Sequence, residues 1–174
     1  MYDGFVLCGG KSSRMGTDKA LIQINGTPMA EIVAEKLKTA GCKNVYLVSK
    51  NKNHSDLKFP VLLDQTAEHH PLFGIAAALK KSETAFALIS PCDLPFISVE
   101  TITNLLQQAP PCIYKSQPLF GVFPKMWLER SLAFAYRGSS VYSFADECRM
   151  IFGNPIELRN VNYASDLGVV DDHN

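Results

Sequence analysis

The chain has 174 residues, with 17 Lys and Arg against 17 Asp and Glu, 47% hydrophobic residues and 10% aromatic ones. This composition excludes disordered, collagen-like and coiled-coil chains, and a chain this long buries roughly 70% of its unfolded surface, so one domain over residues 1–174 is expected, with no need of disulfides or a structural metal. A net charge of zero also argues against wide binding to a nucleic-acid backbone, which needs a clear excess of Lys and Arg.

The first apolar run, Phe5 to Cys8, is short and enters Gly9-Gly10, as a buried strand feeding a glycine loop does. Thr27-Pro28 has the form of an N-cap followed by proline at the first helical position. Met29, Ile32, Val33, Leu37 and Ala40 then share one helical face, and Gly41 closes the segment as a C-cap. Val45 to Ser49 and Val61 to Leu63 are β-branched apolar runs that predict strands, separated by the lysine-rich loop Lys50 to Lys58. Pro71 opens a second helix through Leu79, and Ala85 to Ile89 is a further strand that stops at Ser90-Pro91. Ser98 caps a third helix through Gln108, Pro110-Pro111 ends it, and Cys112 to Tyr114 and Leu119 to Phe123 predict two later strands. Helices are expected over Trp127 to Tyr136 and Val141 to Ile151, and a last strand over Pro155 to Arg159, before the capping-like run Asn162 to Leu167. Continuous apolar strands alternating with helices predict an α/β fold with a mostly parallel sheet covered on both faces. Ligands of such sheets sit at the carboxyl ends of the strands.

The segment Leu7 to Lys19, LCGGKSSRMGTDK, is the richest in chemistry. Glycines let backbone amides approach an anion closely, and Lys11, Arg14 and Lys19 add the charge a polyphosphate needs. It is neither a P-loop nor a GxGxxG fingerprint, and the plain alternative is a glycine-rich surface turn with solvated charges. Asp93, in Pro91-Cys92-Asp93-Leu94-Pro95, falls where the fourth strand ends, a place suited to holding Mg²⁺ against substrate phosphates. Asp64 also ends a short strand, where it either meets a nucleobase or ribose or serves as a turn residue. Together these features point to a metal–nucleotide site whose chemistry is positioning and electrostatics.

Other reactive side chains suggest less. His69-His70 has no partner at ligand spacing, and His54 and His173 are expected in solvent. Cys8, Cys42, Cys92, Cys112 and Cys148 are odd in number and contain no CxxC pair, so reduced thiols in a cytoplasmic protein are expected. No secretory signal and no membrane span are expected from the apolar runs.

The sequence resembles the molybdenum cofactor guanylyltransferases of the MobA type. LCGGKSSRMGTDKALI is similar to that family's LAGGxSxRMGxDKxLL signature, Pro71-Leu72-Phe73-Gly74-Ile75 to its GPLxGI element and Pro91 to Ile97 to its CDxPF segment. Pro118 to Phe123 resembles its PLxAxY strand, Ser140-Val141 the SV of a later helix, and Asn160-Val161-Asn162 with Ala164 to Leu167 its NxNTPEDL element. The resemblance implies a Rossmann-like three-layer nucleotidyltransferase fold of the nucleotide-diphospho-sugar transferase type. It also implies transfer of GMP from GTP to molybdenum-bearing molybdopterin, with Mg²⁺ as cofactor and pyrophosphate released. By position it implies Leu7, Cys8, Gly9, Gly10, Lys19, Ser49, Asp64 and Asp93 as GTP contacts, and Arg14, Lys19 and Asp93 as catalytic residues. Asp93 would be the metal ligand, and Asn160 and Asn162 would lie on the acceptor side. Proteins of cofactor biosynthesis or molybdoenzyme maturation are the implied partners, with no nucleic acid and no membrane.

Cys8 stands where Ala is usual, His70 where Gly precedes the proline, and the connection from Cys112 to Pro118 is shorter than the hairpin such proteins carry. The competing readings are a CTP-dependent nucleotidyltransferase and a non-catalytic GTP-binding regulator.

Overall fold

The computed structural model describes residues 1–9, 18–64, 66, 68–163 and 166. β1 (Asp3–Leu7) leads to a 3₁₀ turn at Lys19–Leu21, a small hairpin of β2 (Gln23–Ile24) and β3 (Thr27–Pro28), and α1 (Met29–Thr39). Next come β4 (Val45–Ser49), a second 3₁₀ turn at Lys52–Asp56, β5 (Val61–Leu63), α2 (Pro71–Lys81), β6 (Phe86–Pro91) and α3 (Val99–Leu106). β7 (Cys112–Tyr114), β8 (Gln117–Pro124), α4 (Leu128–Tyr136), α5 (Val141–Phe144) and β9 (Arg149–Ile151) complete the order.

Seven strands form one sheet in the order β5-β4-β1-β6-β8-β7-β9. β5, β4, β1 and β6 are parallel neighbours; β8 runs antiparallel to both β6 and β7, and β9 is parallel to β7. The pleat divides the core in two. Val6, Leu47, Leu88 and Val122 face Val33, Leu37, Ile102 and Leu105 of α1 and α3. Phe5, Val48, Ile89 and Phe123 face Leu72, Ile75 and Leu79 of α2, with Ala135 and Phe144 beyond. Because both faces are covered, β1 is buried along its whole length, which is why it reads as an unbroken apolar run. The expected three-layer, mostly parallel architecture is the one observed.

Three elements differ from expectation. Thr27-Pro28 belongs to the hairpin: Asn25 (φ 50°) and Gly26 (φ 78°) make its turn, and α1 starts at Met29 with Pro28 as an N-cap that makes no side-chain bond. Asn-Gly supports two positive φ angles in succession, which a two-residue hairpin requires. The helix expected over Val141 to Ile151 stops at Phe144, where the Arg130 guanidinium donates to the Phe144 carbonyl. The chain then pairs with the open edge of β7 as β9. Pro155 to Arg159 is not a strand: Asn154 accepts from Ile156 N through its side chain and from Leu158 N through its carbonyl, folding the segment into a turn that buries Leu158. Among the described residues no helix is long and apolar enough to cross a membrane.

The chain leaves β1 toward β4 on one side and leaves β6 toward β7 on the other, so the connections from these two neighbouring strand ends run in opposite directions. Such a reversal opens a crevice.

Candidate active site

A cavity of about 650 Å³ lies at that crevice, a volume suited to a small organic ligand. Cys8 and Gly9 come from the end of β1, Ser49 and Lys50 from β4, Asp64 from β5, Cys92 and Asp93 from β6, and Gln117, Leu119 and Asn160 from the far wall. Parallel pairing places these strand ends side by side: Cys8 N donates to Val48 O (2.8 Å) and Cys92 N to Leu7 O (3.1 Å). Among the described residues, a Cβ added at Gly9 would meet no atom within 4 Å, so on that side a ligand has room to approach its backbone. Gly10 and Arg14, with Lys11, lie outside the described residues, as do Ala164, Ser165 and Leu167 of the last motif and His173.

Asp18 caps the 3₁₀ turn that carries Lys19, its Oδ1 accepting from Ala20 N at 3.1 Å. Its Oδ2 accepts from His54 Nε2 at 2.7 Å and from Asn51 Nδ2 at 3.1 Å. Hydrogen bonding from His54 holds the Asp18 carboxyl below the usual carboxylate range; burial works against this, and the bonds from Asn51 and Ala20 add to it. His54 is fully buried, which corrects the expectation of a solvated side chain: the second 3₁₀ turn tucks it beneath the first. Among the described residues its buried Nδ1 has no hydrogen-bond partner.

Held by that turn, Lys19 Nζ sits 3.3 Å from Asp93 Oδ2 and donates to Asn162 Oδ1. Val161 N in turn donates to Asp93 O at 2.8 Å. The glycine-loop side, the Asp93 segment and the Asn160 to Asn162 segment thus meet at one ammonium. Asn160 accepts from Gln117 Nε2, which also donates to Leu158 O at 2.8 Å. Ser49 is buried, its hydroxyl accepting from Asn51 N at 2.9 Å. Asp64 accepts from Thr66 N (3.0 Å) and Thr66 Oγ1 (2.7 Å) on Oδ1 and pairs with Lys50 on Oδ2 (3.3 Å). His70 is the N-cap of α2, Nδ1 accepting from Leu72 N.

Contact with Cys92, followed by burial, pushes the Cys8 thiol well above its ordinary range, so Cys8 is not poised as a nucleophile. Among the described residues no group of three or more His, Cys, Asp or Glu surrounds a metal position. Asp93, a carboxylate that lines the cavity, still fits Mg²⁺, which keeps several waters and takes one or two carboxylates plus substrate phosphates. Sequence reasoning missed His54, Asn51 and Lys50 as organisers of the site. Each acts through a partner distant in sequence, and only the polar run Ser49 to Asn53 right after a strand hinted at them.

The family model of the MobA-like NTP transferase domain matches residues 4–143. A Flavobacterium johnsoniae protein named probable molybdenum cofactor guanylyltransferase is 33% identical over 129 residues, covering 70% of this chain and 67% of that one. An Aquifex aeolicus protein of the same name is 38% identical, covering 72% and 65%. A molybdenum cofactor guanylyltransferase of Vibrio cholerae is 34% identical, covering 82% and 76%. The aligned stretch therefore spans about two thirds of the first two relatives. Among solved structures, a protein from Aquifex aeolicus VF5 superposes with a TM-score of 0.79 at 29% identity over 94% of each chain. A nucleotidyl transferase from Methanothermobacter, 17% identical, shares the fold with a TM-score of 0.76, covering 99% of this chain and 97% of that one. A match that runs from β1 into α5 takes in both edges of the crevice, and on it the chain belongs to the MobA-like NTP transferase domain family.

Proposed function

We propose that this chain transfers GMP from GTP to the terminal phosphate of molybdenum-bearing molybdopterin and releases pyrophosphate. The observation that carries this reading is the meeting of Lys19, Asp93 and Asn162 at the open end of the β1–β6 crevice, in a chain whose relatives bear that enzyme's name. An acceptor phosphate oxygen forms the new bond to the α-phosphorus, and the bond from that phosphorus to the oxygen bridging to the β-phosphate breaks. The attacking oxygen is already anionic, so orientation and charge neutralisation replace a general base.

In this reading Lys19 would contact the nucleotide phosphates, and the Asp93 carboxylate would hold Mg²⁺. When bound, Mg²⁺ supplies neutralisation of the phosphate charge. Leu7, Cys8 and Gly9 offer backbone to the nucleoside, Ser49 and Asp64 form the base and ribose side, and Asn160 and Asn162 face the acceptor. Gly10 and Arg14 are assigned to the phosphates by family resemblance. Five cysteines, all unbridged, support a reducing, cytoplasmic setting, with proteins of cofactor biosynthesis as partners.

GTP with Mg²⁺ is expected to raise the melting temperature more than CTP, UTP or ATP, and pyrophosphate release is expected with molybdopterin and GTP. Asp93→Asn should abolish that release while leaving the melting temperature near that of the parent. An equal or larger shift with CTP would replace the guanylyl assignment by the cytidylyl one.

A further inference from the structure

Lys50 and Asp64 meet because β4 and β5 are parallel and paired in register. Ser49 stands opposite Leu63, so the next residues of both strands share the carboxyl edge of the sheet. Lys50 Nζ donates to Thr66 O (2.5 Å), Thr66 Oγ1 (2.8 Å) and Glu68 O (2.6 Å), and pairs with Asp64 Oδ2 (3.3 Å). An ammonium has three protons, and here four oxygens surround it. Two are backbone carbonyls, one is a hydroxyl and one a carboxylate that is itself 93% buried, its side chain retaining only 7% exposure.

That oxygen set resembles the coordination of a monovalent cation, although the Lys50 side chain itself keeps 25% of its exposure. With its protons turned into the cavity wall, Lys50 has none left for a ligand phosphate. Its effect on a ligand passes instead through Asp64. With Thr66 on Oδ1 and Lys50 on Oδ2, the carboxylate is locked from both sides, and His70 and Pro71 at the start of α2 line the same cavity.

We propose that Lys50 is a positioning residue acting as a built-in monovalent cation: its ammonium organises the wall that carries Asp64 and so preorganises the cavity for nucleotide. The inference rests on the reading that this cavity takes a nucleotide. Preorganising a binding wall raises affinity by reducing the ordering cost on binding.

Two variants test it. Lys50→Ala leaves the four oxygens around a void that NH₄⁺ or K⁺ can enter, whereas Lys50→Met fills the same volume with an apolar chain and admits no ion. Amide hydrogen exchange at residues 64, 66 and 68–70 and the Kd for GTP with Mg²⁺ are measured in ammonium, potassium and tetramethylammonium chloride at equal ionic strength. In tetramethylammonium, Lys50→Ala is expected to lose protection in this segment and to bind GTP about tenfold more weakly, with both restored by NH₄⁺ or K⁺. Lys50→Met should lose both and recover neither. Recovery indifferent to the ion, or a Lys50→Ala variant indistinguishable from the parent, overturns the proposal. The exchange readout needs no nucleotide, so a parent protein that binds no GTP removes the nucleotide reading while the ion-selective exchange still decides the oxygen cage.

Discussion

At the scale of single residues the site is governed from below. His54 touches no part of the cavity, yet its Nε2 at 2.7 Å fixes Asp18, and Asp18 caps the turn that aims Lys19 at Asp93. Removing a donor to a half-buried carboxylate costs about 1–3 kcal/mol, so His54→Leu should lower stability by that order and raise the KM for GTP. In an Asp18→Asn background the same substitution should cost markedly less, because the two act as one unit. His54→Gln, which can present an N–H to Asp18, should recover part of the loss. Additive losses in the double variant would show that His54 acts elsewhere. Lys19 and Asp93 were legible in the sequence because each sits at a local signal, the end of a glycine-rich loop and the end of an apolar strand. His54 was not, since its burial depends on a turn packing against another turn 36 residues earlier.

At the scale of elements, β8 depends on a glycine for a steric reason. Gly121 stands opposite Ile89 of β6 and Ile113 of β7 at once, and a Cβ there would come within 2.5 Å of Ile113 Cγ2 and 2.6 Å of Cys112 O. The second contact is backbone and cannot swing aside. Gly121→Ala should therefore destabilise the protein by about 1–3 kcal/mol through overpacking, measured by urea unfolding, while Gly9→Ala, whose Cβ would meet no atom of the described residues, should leave the parent's stability nearly unchanged. β4, β5 and β7 matched their expected bounds because each is a β-branched or apolar run closed by polar or turn residues. The β2–β3 hairpin was overlooked although Asn25-Gly26 announces it, since two-residue strands carry no periodicity. β9 reads as helix in the sequence because its pairing is decided by the free edge of β7, a partner more than thirty positions earlier.

At the scale of the whole molecule, the end of the sheet opposite the cavity is held by Asp3. Only 1% exposed, its carboxylate accepts from Glu83 N (2.7 Å), Ser82 Oγ (3.2 Å) and Asn44 Nδ2 (2.9 Å), joining the start of β1 to the segments that enter β4 and β6. Burial pushes its carboxyl up, but the bonds from Glu83, Asn44, Ser82 and Thr84 outweigh it, and the group lies below its ordinary value. The unfolded chain then binds the proton more readily, so the stabilisation is complete above about pH 4 and is lost as pH falls through the folded value. Asp3→Asn should flatten the loss of stability in that acid window and cost about 1–3 kcal/mol at neutral pH, both read from urea unfolding at a series of pH values. The layered architecture was legible from the alternation of strands and helices, whereas this buried polar joint, assembled from three separate segments, left no local trace. The bond between Lys19 and Asn162 spans 143 positions, which gives the molecule an order in time as well as in space. A nascent chain can pair β1 with β4 and β4 with β5 early, but the ammonium finds its last partner only after every described strand has been made. Closing so long a loop comes late in folding, and the crevice is therefore completed after the sheet that supports it.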